Sequence, residues 1–201
     1  MTDAERLVEV LKGLQREGRT VMDLIRGDQP AEPWRLYPGE AGVFDRRTRY
    51  QFYYHAHGDG REEDGHFHTV RLFADHTVHL VAISMRRDGW PQALFTLNLW
   101  AIGDAYARWD LWRYARNFRV TEQAGPPPLV RFVNLIFRAF GPQIDELQEQ
   151  KFQTLARYRA AHPGRDVFDD RSLEILSCCD VDVRVAAGAP ARRAAAVGGR
   201  A

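Results

Sequence analysis

Tyr53-Tyr54-His55-Ala56-His57-Gly58-Asp59-Gly60-Arg61-Glu62-Glu63-Asp64-Gly65-His66-Phe67-His68 sets four of the chain's seven histidines symmetrically about a glycine-rich turn. Side chains on a strand alternate between faces, so two antiparallel arms, residues 51–57 and 66–73, would turn all four rings to one side. A turn near Arg61 that pairs His57 with His66 also sets His55 opposite His68. Two mirrored His-x-His pairs supply imidazole nitrogens to a common point, the layout that divalent zinc, iron, manganese or nickel requires.

Outward from this hairpin, period-2 patterning continues. Residues 78–85 and 93–100 read as two more strands, joined through Asp88-Gly89, a favoured hairpin pair. The spacing thus predicts an antiparallel meander of four or more strands. His79 joins the histidine face if it pairs with Leu72, and a one-residue change of register removes it. Glu62 completes a histidine-plus-carboxylate set, with Glu63 as its neighbour. Gln51 and Tyr53 share the strand face and are candidates to support the ligands.

Before the meander, apolar residues at Leu7, Val10, Leu11, Leu14, Val21, Met22 and Ile25 predict one helix over residues 3–25, capped by Thr2 or Asp3 and ended by Gly27. Residues 28–45 carry three prolines and read as an extended arm, with Trp34 and Tyr37 capping the core.

Beyond the meander, Asp104 caps a helix to about Phe118, where Arg108, Arg113 and Arg116 alternate with Trp109 and Trp112. Residues 129–140, from Leu129 through Phe140, form the most apolar segment: a helix buried in the fold or at an oligomer or protein interface. Pro142 opens a further helix to about Ala161. A short turn at 171–176 and an edge strand at 180–185 follow. Cys178 and Cys179 are expected to be a buried, inert pair. The whole is an α+β fold, an antiparallel sheet packed against N- and C-terminal helices. Residues 1–185 make a single domain, and 186–201, reduced to Ala, Gly, Arg, Pro and Val, a disordered tail.

Composition narrows the function classes. Lys and Arg total 28 against 27 Asp and Glu, a formal charge of +1. That balance gives no global attraction to nucleic acid or anionic lipid. Two adjacent cysteines build no disulfide framework. No apolar run reaches the ~20 residues of a membrane span, and the N-terminus lacks a secretory pattern. Cytoplasmic residence is the expectation.

Asp64-Gly65-His66-Phe67-His68, with 79–84 (His-Leu-Val-Ala-Ile-Ser), 94–100 (Leu-Phe-Thr-Leu-Asn-Leu-Trp) and 140–144 (Phe-Gly-Pro-Gln-Ile), resembles a bacterial family of unknown function across residues 7–183. The resemblance implies a shared fold that includes these histidines, and it carries no activity, cofactor or catalytic residue. His55-x-His57 followed by Glu62 also resembles the first motif of cupin barrels. The glycine before that motif is missing, however, and no second motif follows.

The leading expectation is therefore a histidine-rich pocket that binds a metal through His55, His57, His66 and His68, completed by His79 or Glu62, and with it a small-molecule substrate. Three alternatives stand beside it. In the first the rings hydrogen-bond one another on a sheet face without metal; in the second one ring acts as an acid–base catalyst; in the third the chain is a non-enzymatic ligand- or protein-binding module using its apolar and Trp/Arg helices.

Overall fold

In the computed structural model, residues 1–27, 29–57, 63–102 and 111–188 are described. The first two helices are α1, Asp3–Arg16, and α2, Val21–Arg26. One helix was expected here. Gly18 takes φ 69° and breaks it, and a capping box between Thr20 and Asp23 starts the second, satisfying amide donors that continuous helix would have used. Thr2 and Glu5 form the same device at the head of α1.

The arm carries two short strands, β1 (Leu36–Tyr37) and β2 (Val43–Phe44). Tyr37 is fully buried, and its hydroxyl donates to Pro30 O and accepts from Glu32 N. Trp34 departs from the expectation, for it is 66% exposed at φ 67°. That left-handed backbone swings the ring away from the core.

The meander follows as β3 (Tyr50–Ala56), β4 (Glu63–Leu72), β5 (Thr77–Arg86) and β6 (Pro91–Leu97). Short helices α3 (Leu99–Ile102) and α4 (Leu111–Arg116) come next. The expected cap Asp104, with Arg108 and Trp109, lies outside the described residues. Then come α5 (Pro127–Ala139), α6 (Gly141–Ala161), β7 (Ile175–Asp180) and α7 (Val183–Ala186). Among the described residues, seven antiparallel strands form one sheet in the order β1-β3-β4-β5-β6-β7, with β2 also pairing β3. The fold is α+β, with helices before and after the sheet.

Strand β7 begins five residues before the expected edge strand; the expected turn forms at its start, where Leu173 N donates to Asp170 O at 3.1 Å, and gives way to the strand from Ile175. It docks on β6, where Ser177 meets the Thr96 hydroxyl at 2.7 Å and donates to Leu147 O of α6 at 2.8 Å. Asp182 instead caps α7. Alternation along β7 leaves Cys178 exposed and Cys179 half-buried, both free, so the expected buried pair is not formed. The expected tail begins inside α7, and its residues from 189 lie outside the described ones.

One face of the sheet carries Phe52, Tyr54, Phe67, Ile83 and Leu94 in a common core with α1 and α5. Leu129, Val130, Phe132, Val133 and Ile136 of α5 are fully buried within the chain, each worth roughly 1.5–3 kcal/mol. Asn134, a polar residue in this apolar helix, is buried too. It donates to Val120 O at 2.7 Å and accepts from Val120 N at 3.0 Å, which ties the preceding segment to the helix. No described helix is long and apolar enough to cross a membrane.

Candidate metal centre

Because Phe67 points into the α5 core, 5.6 Å from Phe132, its neighbours His66 and His68 must point to the opposite face. The hairpin register there differs from the expected one by two residues: His55 faces His66, and Tyr53 faces His68. A two-residue slip preserves facing, so the rings still share a side. The core decides the register. It sets Phe67 against Tyr54, ring centres 4.9 Å apart, where the expected pairing would have placed Ala56. Gly65 permits it, since a Cβ there would lie 2.2 Å from His55 O and 2.8 Å from Ala56 Cα.

Four rings converge as a result. Ring centres lie 4.2 Å apart for His55 and His66, 4.6 Å for His66 and His68, and 4.8 Å for His57 and His66. His55 Nε2 is 3.0 Å from His57 Nε2. Among the described residues, the carboxylate at the site is Glu63, whose oxygens lie 3.1 Å from His66 Nδ1 and 3.2 Å from His57 Nδ1. Glu62 lies outside the described residues. Among the described residues, two sets of donor atoms come close enough for one ion, His55, His66 and His68 in one and His57, Glu63 and His66 in the other.

His79 reaches the face by a different route. Opposite β4, the register of β5 shifts between Val81, paired with Thr69, and His79, paired with Val70. The extra residue, Leu80, is a bulge that restores His79 to the histidine side. The expected partner, Leu72, pairs with Thr77 instead. His79 Nε2 sits 3.1 Å from His68 Nδ1, outside both donor sets.

Burial is shared across the cluster: the side chains of His57 and His66 are only 5% and 8% exposed. His68 and His79 are 4% and 1% exposed. Burial foremost, then the charge of His66 and its neighbours, holds the His68 ring well below the ordinary histidine pKa. His79 is shifted the same way by burial, then by His68 and Lys151. Both rings are therefore neutral near pH 7. Among the described residues His79 Nδ1 has no partner, and neither does the equally buried Gln148 Oε1. The Gln148 amide donates to Leu80 O at 2.7 Å, so α6 braces the bulge beside His79.

Of the two residues expected to support the ligands, Tyr53 stacks on His68 at 4.8 Å, whereas Gln51 turns away to Ala41 O. Sequence reasoning missed Trp34, 5.5 Å from His57 and 5.9 Å from His55, and the buried Lys151. The scarcity of lysine, only two in the chain, was the one available sign that Lys151 is unusual.

No curated protein and no solved structure matches the sequence significantly. A family model described as a domain of unknown function, DUF6969, matches residues 1–181, and the chain belongs to that family.

Proposed function

We propose that the protein binds a divalent first-row transition metal through His57, Glu63 and His66, with His55 and His68 completing the polar surround. The observation that carries this reading is the spacing around Glu63, 3.1 Å to one imidazole nitrogen and 3.2 Å to another. Donors about 2.1 Å from a metal stand about 3.0 Å apart at right angles and about 3.4 Å apart in a tetrahedron. The observed spacing falls between the two. Two imidazoles and a carboxylate suit zinc, iron, manganese or nickel and leave coordination positions open for a small molecule.

The proton count is consistent. If Nδ1 of His57 serves the metal, its Nε2–H donates to His55 Nε2, 3.0 Å away, and the ring is fixed by that bond. The test is elemental analysis of protein prepared without a histidine tag, on wild type and on His66→Ala with His68→Ala. His66 belongs to both donor sets, so the double variant should lose a stoichiometric metal that the wild type carries. A folded, metal-free wild type that takes up no added metal would overturn the reading.

A further inference from the structure

We propose that the metal-loaded protein binds a short ω-amino acid in the cleft beside His57 and Glu63, its carboxylate on the metal and its ammonium on Asp64. This ligand class rests on the metal reading above.

The cleft, about 270 Å³, is lined by His57, Glu63 and Asp64 and by the small apolar residues Ala31, Pro33 and Ala56. His57 follows β3, and Glu63 and Asp64 open β4. Pro33 of the arm bridges to Ala56, and Trp34 N donates to Ala56 O at 3.1 Å, which holds the arm against this end of the sheet. Arg87, which follows β5, lines the cleft as well and already has a partner, so no group of the ligand is assigned to it.

Strand alternation would send Glu63 and Asp64 to opposite faces. The register prevents this. Between β4 and β5 the pairing steps from Glu63 with Arg86 to Gly65 with Met85, two residues against one. Asp64 is the extra residue of a bulge, a feature that re-aims side chains, and both acidic residues border the same cleft. Their neighbours give them different tasks. Glu63 meets two imidazole nitrogens, at 3.1 and 3.2 Å, and is the anion of the metal set. Among the described residues, Asp64 belongs to neither donor set. It accepts instead from the hydroxyl of the fully buried Tyr54. Burial, then Asp64, raises the pKa of that phenol, so it remains a neutral donor that holds the carboxylate in place. A carboxylate has about four lone-pair sites, and the phenol takes one.

A metal with open positions and a carboxylate at one cleft match a molecule that carries both signs, a carboxylate at one end and an ammonium at the other. An ammonium on a carboxylate makes the short, charge-assisted class of hydrogen bond. Because the zwitterion is neutral as a whole, its entry does not depend on the net charge of the cleft. Size excludes larger ligands, since drug-sized pockets run from about 300 to 1,000 Å³. Ala31, Pro33 and Ala56 offer an apolar wall to the methylenes between the two ends.

The experiment is calorimetric titration of β-alanine, γ-aminobutyrate and δ-aminovalerate into zinc-loaded wild type, the same protein stripped of metal, and zinc-loaded Asp64→Asn. The amide oxygen of this variant still accepts from Tyr54, so it should fold and keep zinc. Propionate, butyrate and valerate, which lack the amine, are the controls. At least one of the amino acids is expected to bind the loaded wild type at least tenfold more tightly than the control of equal length, and not to bind the stripped protein. That preference should vanish in Asp64→Asn, which should bind the controls as the wild type does. Loaded wild type that binds none of the amino acids, or prefers none to its control, overturns this proposal while leaving the metal in place, whether or not the variant folds. Equal binding by the stripped protein, or a preference retained in Asp64→Asn, overturns it too. A wild type that takes up no zinc removes both.

Discussion

At the inner end of the cluster, His68 and His79 face each other 3.1 Å apart, nearly sealed from solvent, and among the described residues neither meets a carboxylate. At the outer end, His57 and His66 share Glu63, and His57 and Glu63 border a cleft. The same ring thus does two jobs. Desolvation holds the inner pair neutral, so it can position a ligand but cannot carry a proton at physiological pH. The outer pair has a carboxylate to stabilise positive charge, whether that charge is a proton or a metal. A histidine's neighbours, more than its identity, decide which job it takes.

The change that should erase both ends together is Gly65→Ala. Its Cβ would meet His55 O, Ala56 Cα and, at 2.6 Å, the Tyr54 hydroxyl. Two of these three belong to the backbone, where no side-chain rotation gives relief. Stability should fall by about 3 kcal/mol or more, read from the denaturant midpoint, and metal uptake should disappear with the register. A variant of wild-type stability would show that the β3–β4 pairing is not the one described.

Acidification should strike the inner end next. The folded pKa values of His68 and His79 lie below the unfolded value of about 6.5, so below that pH the unfolded chain binds more protons than the folded one. Stability of metal-free protein is therefore full above pH 6.5 and is lost as pH falls toward the folded values. Between pH 7.5 and 5.5 the loss is up to about 1.4 kcal/mol for each ring, or about 3 kcal/mol for the pair. Urea unfolding at the two pH values measures it, and His79→Phe should flatten the dependence. An unchanged midpoint would mean that the inner rings reach water.

These two tests also mark what the sequence discloses and what it withholds. The shared face of the four histidines was legible, because period-2 alternation depends only on local backbone. The register was not. A two-residue slip keeps the same pattern, and the choice was made by Phe67 seeking Tyr54 across strands. His79 depended on a bulge at Leu80, and a bulge leaves no mark in hydrophobic periodicity. In the quoted stretch Glu62 and Glu63 are chemically identical, and only strand geometry brings Glu63 to His57 and His66. The break at Gly18 and the start of β7 at Ile175 were missed for a related reason. A capping box and a hydroxyl pair, contacts of particular side chains, outweighed the general pattern.

Metal affinity separates the two ends more finely. With the ion on His57, Glu63 and His66, Glu63→Gln should weaken it about 100-fold or more, since it removes the one anionic donor. His79→Phe keeps all three donors and should weaken it less than about threefold. Competition titration against a chelating dye gives both values. A large effect from His79→Phe and a small one from Glu63→Gln would move the ion inward to His55, His66 and His68, where His79 orients His68.

Trp34→Gly should have the smallest effect, through two opposed contributions. Trp34 holds φ 67°, a backbone region that costs a bulky residue about 1 kcal/mol or more and glycine almost nothing. Against that relief stands the loss of ring contacts with His55 and His57, worth about 0.5–1.5 kcal/mol. The denaturant midpoint should therefore correspond to a change within about 1 kcal/mol, and metal affinity should stay within about threefold because Trp34 supplies no donor to either set. A fall of more than about 2 kcal/mol would mean that the indole holds His55 and His57 in place by more than a ring contact. The contrast between the ends rests on the Glu63 carboxylate, since the side chains of His57 and His66 are themselves only 5% and 8% exposed.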